Sequence, residues 1–404
     1  MNQPVTLARN VNPIRWGALA VGTIGAALCL LGLLLPADRD YFFRAYLFAW
    51  IVCLSLALGG MSLVMIHNLT GGEWGRIIRR CSESAAITLP LLLLMFIPIV
   101  FGLPRLFPWA NPGEVAASDV WQHRRPYLNE PFFIVRSFAY LIIWCVIAIL
   151  LWRWQRRWEL TGDVRFMARI RALSAGGLIL YVLTMTNAGV DWLVSRDEHF
   201  YSTAFGLILT IGQTLFSTAF AVAIIGGFTA KSERESILAR MTSRGVRNDI
   251  GNILMVMVIL WTYVTFMQFL VIWMGNSQDD NGWYVQRGFS QPGAWRWIGL
   301  FLILFHFFIP FFILLFRGAK QYGRALVTIA WVLLFSHLVE QYWLVAPSGH
   351  GRMPRFDLHW LDLAAPAALG GIWLFAFLTL LPREWVPAPI PLPEPPGKGV
   401  PAGE

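Results

Sequence analysis

The chain has 404 residues, of which 57% are hydrophobic and only 14% charged, with a mean hydropathy of +0.57. That balance excludes an ordinary soluble domain and points to a polytopic membrane protein. A formal net charge of +9 could suggest nucleic acid, but the Lys and Arg lie between apolar runs, where the positive-inside bias accounts for them and no nucleic-acid partner is expected.

Ten runs are long enough to cross a bilayer as helices: roughly 16–35, 45–69, 86–103, 132–152, 173–193, 202–228, 252–274, 297–316, 325–345 and 361–381. The first is too long for a signal-peptide core and has no clear small-residue cleavage site after it, so it is read as a span. The expected organisation is a cytoplasmic N-terminus over 1–15, a ten-helix transmembrane domain over 16–381 and a tail over 382–404. Loops on the side of the two termini carry about twice the Lys and Arg of the opposite loops, which places both termini in the cytoplasm. The less basic loops, 104–131, 275–296 and 346–357, are rich in turn and aromatic residues and read as structured surface loops. Six prolines between Pro387 and Pro396 make the tail an extended, non-helical segment.

Few polar groups interrupt the spans. His67 closes the second. Arg136 lies near one end of the fourth. The fifth carries Thr184, Asn187 and Asp191 at spacings of three and four, and the sixth repeats that spacing with Thr210, Gln213 and Ser217. His306 is near the middle of the eighth. In the ninth, His337 and Glu340 are three apart and share a helix face, with Gln341 beside it. A carboxylate in a bilayer costs roughly 2.5 kcal/mol or more, so a retained one marks a function by default. Asp191, His306, His337, Glu340 and His67 are therefore the candidate proton path. Thr184, Asn187, Thr210, Gln213, Ser217, Gln341 and Arg136 are supporting polar groups, of the kind that bond across helices. Arg136 could snorkel to the interface or pair with a carboxylate such as Asp191.

Four cysteines, Cys29, Cys53, Cys81 and Cys145, stand singly with no CxxC, so the sequence supports neither an iron–sulfur cluster nor a zinc site. No paired-His pattern recurs on two spans, and haem ligation is not expected. No catalytic residue and no covalently bound cofactor are assigned. A free-standing transporter is disfavoured, because no matching pair of Gly/Pro-broken helices is evident.

Several stretches together resemble one family: His67 to Gly75 followed by Arg79 and Arg80; Pro90 to Leu94 leading to Pro104, Pro108 and Trp109; Asp191 and Trp192 with Phe200 to Gly206; Trp261 with Gln268 to Trp273, Gly275, Asn276, Trp283 and Tyr284; and His306 to Arg317. Over about 15–385 the chain resembles the NrfD/polysulfide-reductase membrane subunits, within them the ActF-type subunit of bacterial alternative complex III. It departs from the family's usual pattern at 277–282. The resemblance implies two four-helix bundles, spans two to five and six to nine, with spans one and ten peripheral. It implies a subunit of a quinol:electron-acceptor oxidoreductase in an electron-transport (respiratory) chain, supporting quinol oxidation and proton release or translocation. The implied partners are a related membrane subunit, an extracytoplasmic iron–sulfur subunit and c-type haem subunits, with quinol or quinone expected in a partner rather than here. The alternative is a structural anchor of a redox complex, including a molybdopterin reductase, with no quinone site of its own.

Overall fold

The computed structural model describes residues 5–6, 8–231, 243–276, 278–289, 293–348, 356–381 and 384–385. The proline-rich tail lies outside the described residues, apart from an antiparallel pairing of Glu384–Trp385 with Val5–Thr6. Among the described residues ten helices are long and apolar enough to cross a membrane: α1 (Val11–Leu34), α2 (Arg39–Thr70), α3 (Glu73–Phe101), α4 (Glu130–Thr161), α5 (Val164–Arg196), α6 (Phe205–Gly227), α7 (Arg244–Gly275), α8 (Ala294–Leu315), α9 (Gly323–Val345) and α10 (Leu361–Leu380). The chain is an all-α polytopic membrane protein.

The helices start and stop where local chemistry directs. Asn129 caps α4 by accepting from the Phe132 amide at 3.1 Å, and Gly162 ends it in the left-handed conformation. Asp163 then caps α5 through the Arg165 amide at 2.9 Å, which makes a tight turn. Its carboxyl is held below the usual range by the Arg165 side chain. α3 begins well before its apolar run, at Glu73, because its first turns are amphipathic: Ile77, Ile78 and Cys81 are buried while Glu73 pairs with Arg76. Pro90 and Pro98 then interrupt it.

Helix α2 is the hub. Its most apolar stretch is wholly buried, and it packs against α3, α5, α6 and α10. It meets α6 so closely that a side chain at Gly59 would collide with the Gln213 carbonyl. α4 packs on α5 and α3, completing one group of four. α6 packs on α7 and α9, and α8 lies between α7 and α9, completing the second. α1 and α10 run together at the side, with Gly25 against the Ala368 backbone. The four cysteines are buried and unpaired.

The 104–131 loop forms short helices at Pro112–Ala116 and Asp119–Arg124, and Trp109 donates its indole N–H to Ser195 at 3.0 Å. The end of α9 on this same face is clamped by two buried arginines. Arg196 donates to the carbonyls of Val345 at 2.7 Å and Ser348 at 2.8 Å; Arg287 donates to those of Trp343 at 3.2 Å and Leu344 at 3.0 Å. The carbonyls of Trp343, Leu344 and Val345 belong to the last turn of α9, where no helical amide follows to meet them, and two cations at its negative end satisfy them.

Candidate functional site

Three of the five proposed proton-path residues come together. His337 and Glu340 lie one turn apart on α9, and His306 reaches them from α8. All three are buried. Glu340 Oε2 is 2.9 Å from His337 Nδ1 and 3.7 Å from His306 Nδ1. The 2.9 Å contact is off the axis of a good hydrogen bond, so both of its atoms remain without an aligned partner. Gln341 Nε2 lies 3.2 Å from His337 Nε2, one helical turn along.

Local structure explains how His306 is delivered. Residues Ile303–Phe308 form a π-helical turn, and Pro310 follows. Proline lacks the amide that an α-helix would direct at the His306 carbonyl, and the wider turn absorbs the mismatch. Aromatic rings then fix both imidazoles. Trp261 of α7 lies 4.0 Å from His306, and Phe216 of α6 lies 4.3 Å from His337. The Trp261 indole also donates to Glu340 Oε1 at 2.7 Å. Trp261 enters the sequence reading only as one of the residues that carry the resemblance; nothing in its spacing places it beside Glu340.

Glu340 borders a cavity of about 570 Å³, within the range of small-molecule sites. It lies between α7 and α8, backed by α6 and α9, and its walls include Trp261, Phe269, Trp283, Phe307 and Trp343. Phe266, Phe289 and Phe308 line it and are exposed, so it opens to the outer surface of the helices. Thr265 Oγ1 and Trp343 Nε1 belong to lining residues and lack hydrogen-bond partners among the described residues.

Asp191 is elsewhere. Arg136 grips it with two parallel bonds, Nε to Oδ2 at 3.0 Å and Nη2 to Oδ1 at 2.8 Å, and Tyr140 adds a third contact at 3.3 Å. The guanidinium also donates to the Tyr127 carbonyl at 3.0 Å and stacks 3.9 Å over that ring. Of the two readings for Arg136, the structure selects the carboxylate pair.

His67 is remote from both sites, on the more basic face. Its Nε2 is 3.1 Å from the Gly72 carbonyl, and its ring packs edge-on to Trp74.

The supporting groups scatter. Thr184 accepts from the Trp144 indole at 2.8 Å. Gln213 is hydrogen-bonded by the Tyr181 hydroxyl across α5 and α6. Thr210 bonds back to the Gly206 carbonyl at 2.7 Å. Ser217 is buried on α6 near Gly59. Asn187 is exposed and bonds only the Leu183 carbonyl of its own helix, at 2.9 Å.

No family model matches the chain, and no curated protein matches it.

Proposed function

We propose that the chain is an integral membrane subunit of a quinol:electron-acceptor oxidoreductase of the alternative complex III type, in a bacterial inner membrane with both termini cytoplasmic. The observation that carries this reading is the buried His306–Glu340–His337 cluster at the edge of an apolar cavity open to the surface of the helices. Oxidising a quinol releases two electrons and two protons, and electron carriers take only the electrons. No CxxC or CxxCH occurs in this sequence, so the electrons leave through partner subunits. The protons need buried groups that accept them and pass them on, and imidazole beside carboxylate is suited to that work. Glu340 is the cluster member that borders the cavity and is the first acceptor in this scheme. His337, 2.9 Å away and steadied by Gln341, is the next. Alignment of such contacts tightens when the reacting partner arrives.

The test is to purify the complex through a tag on this chain and to record its redox spectrum and subunit masses. Haem c and iron–sulfur partners support the assignment; a chain that purifies alone and colourless removes it. A second reading, a structural anchor for a redox complex such as a molybdopterin reductase, draws on the Arg136–Asp191 pair, whose satisfied bonds look like scaffolding. A molybdopterin subunit in the preparation would select it.

A further inference from the structure

The proton scheme leaves His306 unexplained. It is fully buried, yet neither ring nitrogen has a hydrogen-bond partner among the described residues. His337 Nδ1 and Glu340 Oε2 are also unsatisfied, and all three side chains offer an atom within 4.8 Å of the others. Buried polar atoms without partners demand an explanation, and one such explanation is an ion.

We infer that His306, His337 and Glu340 form a three-ligand site for a borderline divalent cation of the zinc class. A tetrahedral cation with bonds of ~2.0–2.1 Å sets its ligand atoms about 3.3–3.4 Å apart. Two of the three edges, 2.9 and 3.7 Å, bracket that spacing, and the third lies within 4.8 Å. Two imidazoles and one carboxylate, with no thiolate, suit Zn²⁺ and its neighbours rather than Ca²⁺ or Mg²⁺. Three protein ligands leave a fourth position open for water or another ligand.

The surrounding groups support the same assignment. Metal-binding side chains are held by outer partners. The Trp261 indole holds the free oxygen of Glu340 at 2.7 Å. With Nδ1 on the cation, His337 carries its proton on Nε2 and needs an acceptor there. Gln341 sits 3.2 Å from that nitrogen, and its own carbonyl oxygen is unpartnered. Turning the amide over supplies the acceptor. Glu340 borders the cavity, so the cluster is not sealed on every side.

A cation on His337 Nδ1 and Glu340 Oε2 takes the atoms that the quinol reading uses as proton acceptors, so the two readings compete for one cluster, and the binding is measured directly, without turnover. The full chain, in its complex where it has one, is stripped with chelator and titrated with Zn²⁺ by calorimetry, with metal content from mass spectrometry. One Zn²⁺ per chain is expected. His306→Gln and Glu340→Gln should each weaken it by at least ~100-fold, beyond the about 10–100-fold expected for Trp261→Phe, which removes only an outer partner. His123→Ala, an exposed histidine away from the cluster, should bind as the parent does. No stoichiometric binding by the parent overturns the inference, as does parent-like binding in both ligand variants. Co²⁺ bound to the unmutated protein provides a check that needs no variant. Intense visible bands of a four-coordinate ion are expected, and the weak spectrum of hydrated Co²⁺ contradicts the site.

Discussion

Two helices, each the fourth of its group, carry a buried carboxylate toward the same face, and the protein treats the two in opposite ways. Asp191 of α5 is locked by a bidentate arginine, a tyrosine hydroxyl and the rings that enclose the guanidinium. Glu340 of α9 faces two imidazoles and an indole, with no Lys or Arg among its ion-pair partners at the described residues. A carboxylate gripped by a guanidinium through two parallel bonds is fixed in place. A carboxylate with only imidazole partners can exchange its proton or its ligand. The position of a buried acid in a membrane helix therefore does not set its role; the permanence of its partner's charge does.

The largest expected effect breaks the locked side. Arg136→Ala strands the Asp191 charge and should destabilise the protein by about 3–5 kcal/mol. Thermal unfolding in detergent measures it, and the double replacement Arg136→Met with Asp191→Leu should recover most of the loss. A single variant as stable as the parent would show that the pair holds nothing together.

On the other side, Trp261→Phe removes one charge-assisted hydrogen bond from Glu340 while keeping most of the aromatic wall. It should cost about 1.5–3 kcal/mol, read as slower turnover of the complex. Turnover equal to the parent would detach Trp261 from the site.

Arg287→Lys sharpens the geometry beneath the comparison. A lysine lacks the planar fork that spans the carbonyls of Trp343 and Leu344, and a carbonyl left alone should cost about 1–3 kcal/mol. A lowered midpoint of thermal unfolding is expected, with the Arg196 clamp keeping the helix end in place.

Asn187→Leu should have the smallest effect, within about 0.5 kcal/mol, since the side chain is exposed and bonds only its own helix. A larger change would mean that the exposed face of α5 is covered by something in the assembly.

Much of the fold is legible in the amino-acid order, for a simple reason. Hydrocarbon thickness demands long apolar runs, and ten such runs stand out. The charged start of α3 does not, because Arg76, Arg79 and Glu83 hide a helix whose apolar face is only a stripe. Within α9 the alliance of His337, Glu340 and Gln341 follows from helical spacing alone. The arrival of His306 does not: it requires α8 to pack on α9 and a π-turn ahead of Pro310, neither of which leaves a periodic signature. For the same reason the sequence offers no metal site, since its donors come from two separate helices with no short motif. The choice of Asp191 as the partner of Arg136 likewise depends on how α4 and α5 rotate against each other.

The most direct test of the contrast sets two variants of the purified complex side by side. Glu340→Gln should fold and assemble with its partners but lose about 10²–10⁴-fold in quinol turnover, the usual worth of a positioned acid or base. The neutral double variant Arg136→Met with Asp191→Leu should assemble and retain turnover close to the parent. Unchanged turnover in Glu340→Gln, or abolished turnover in an assembled double variant, would contradict the account.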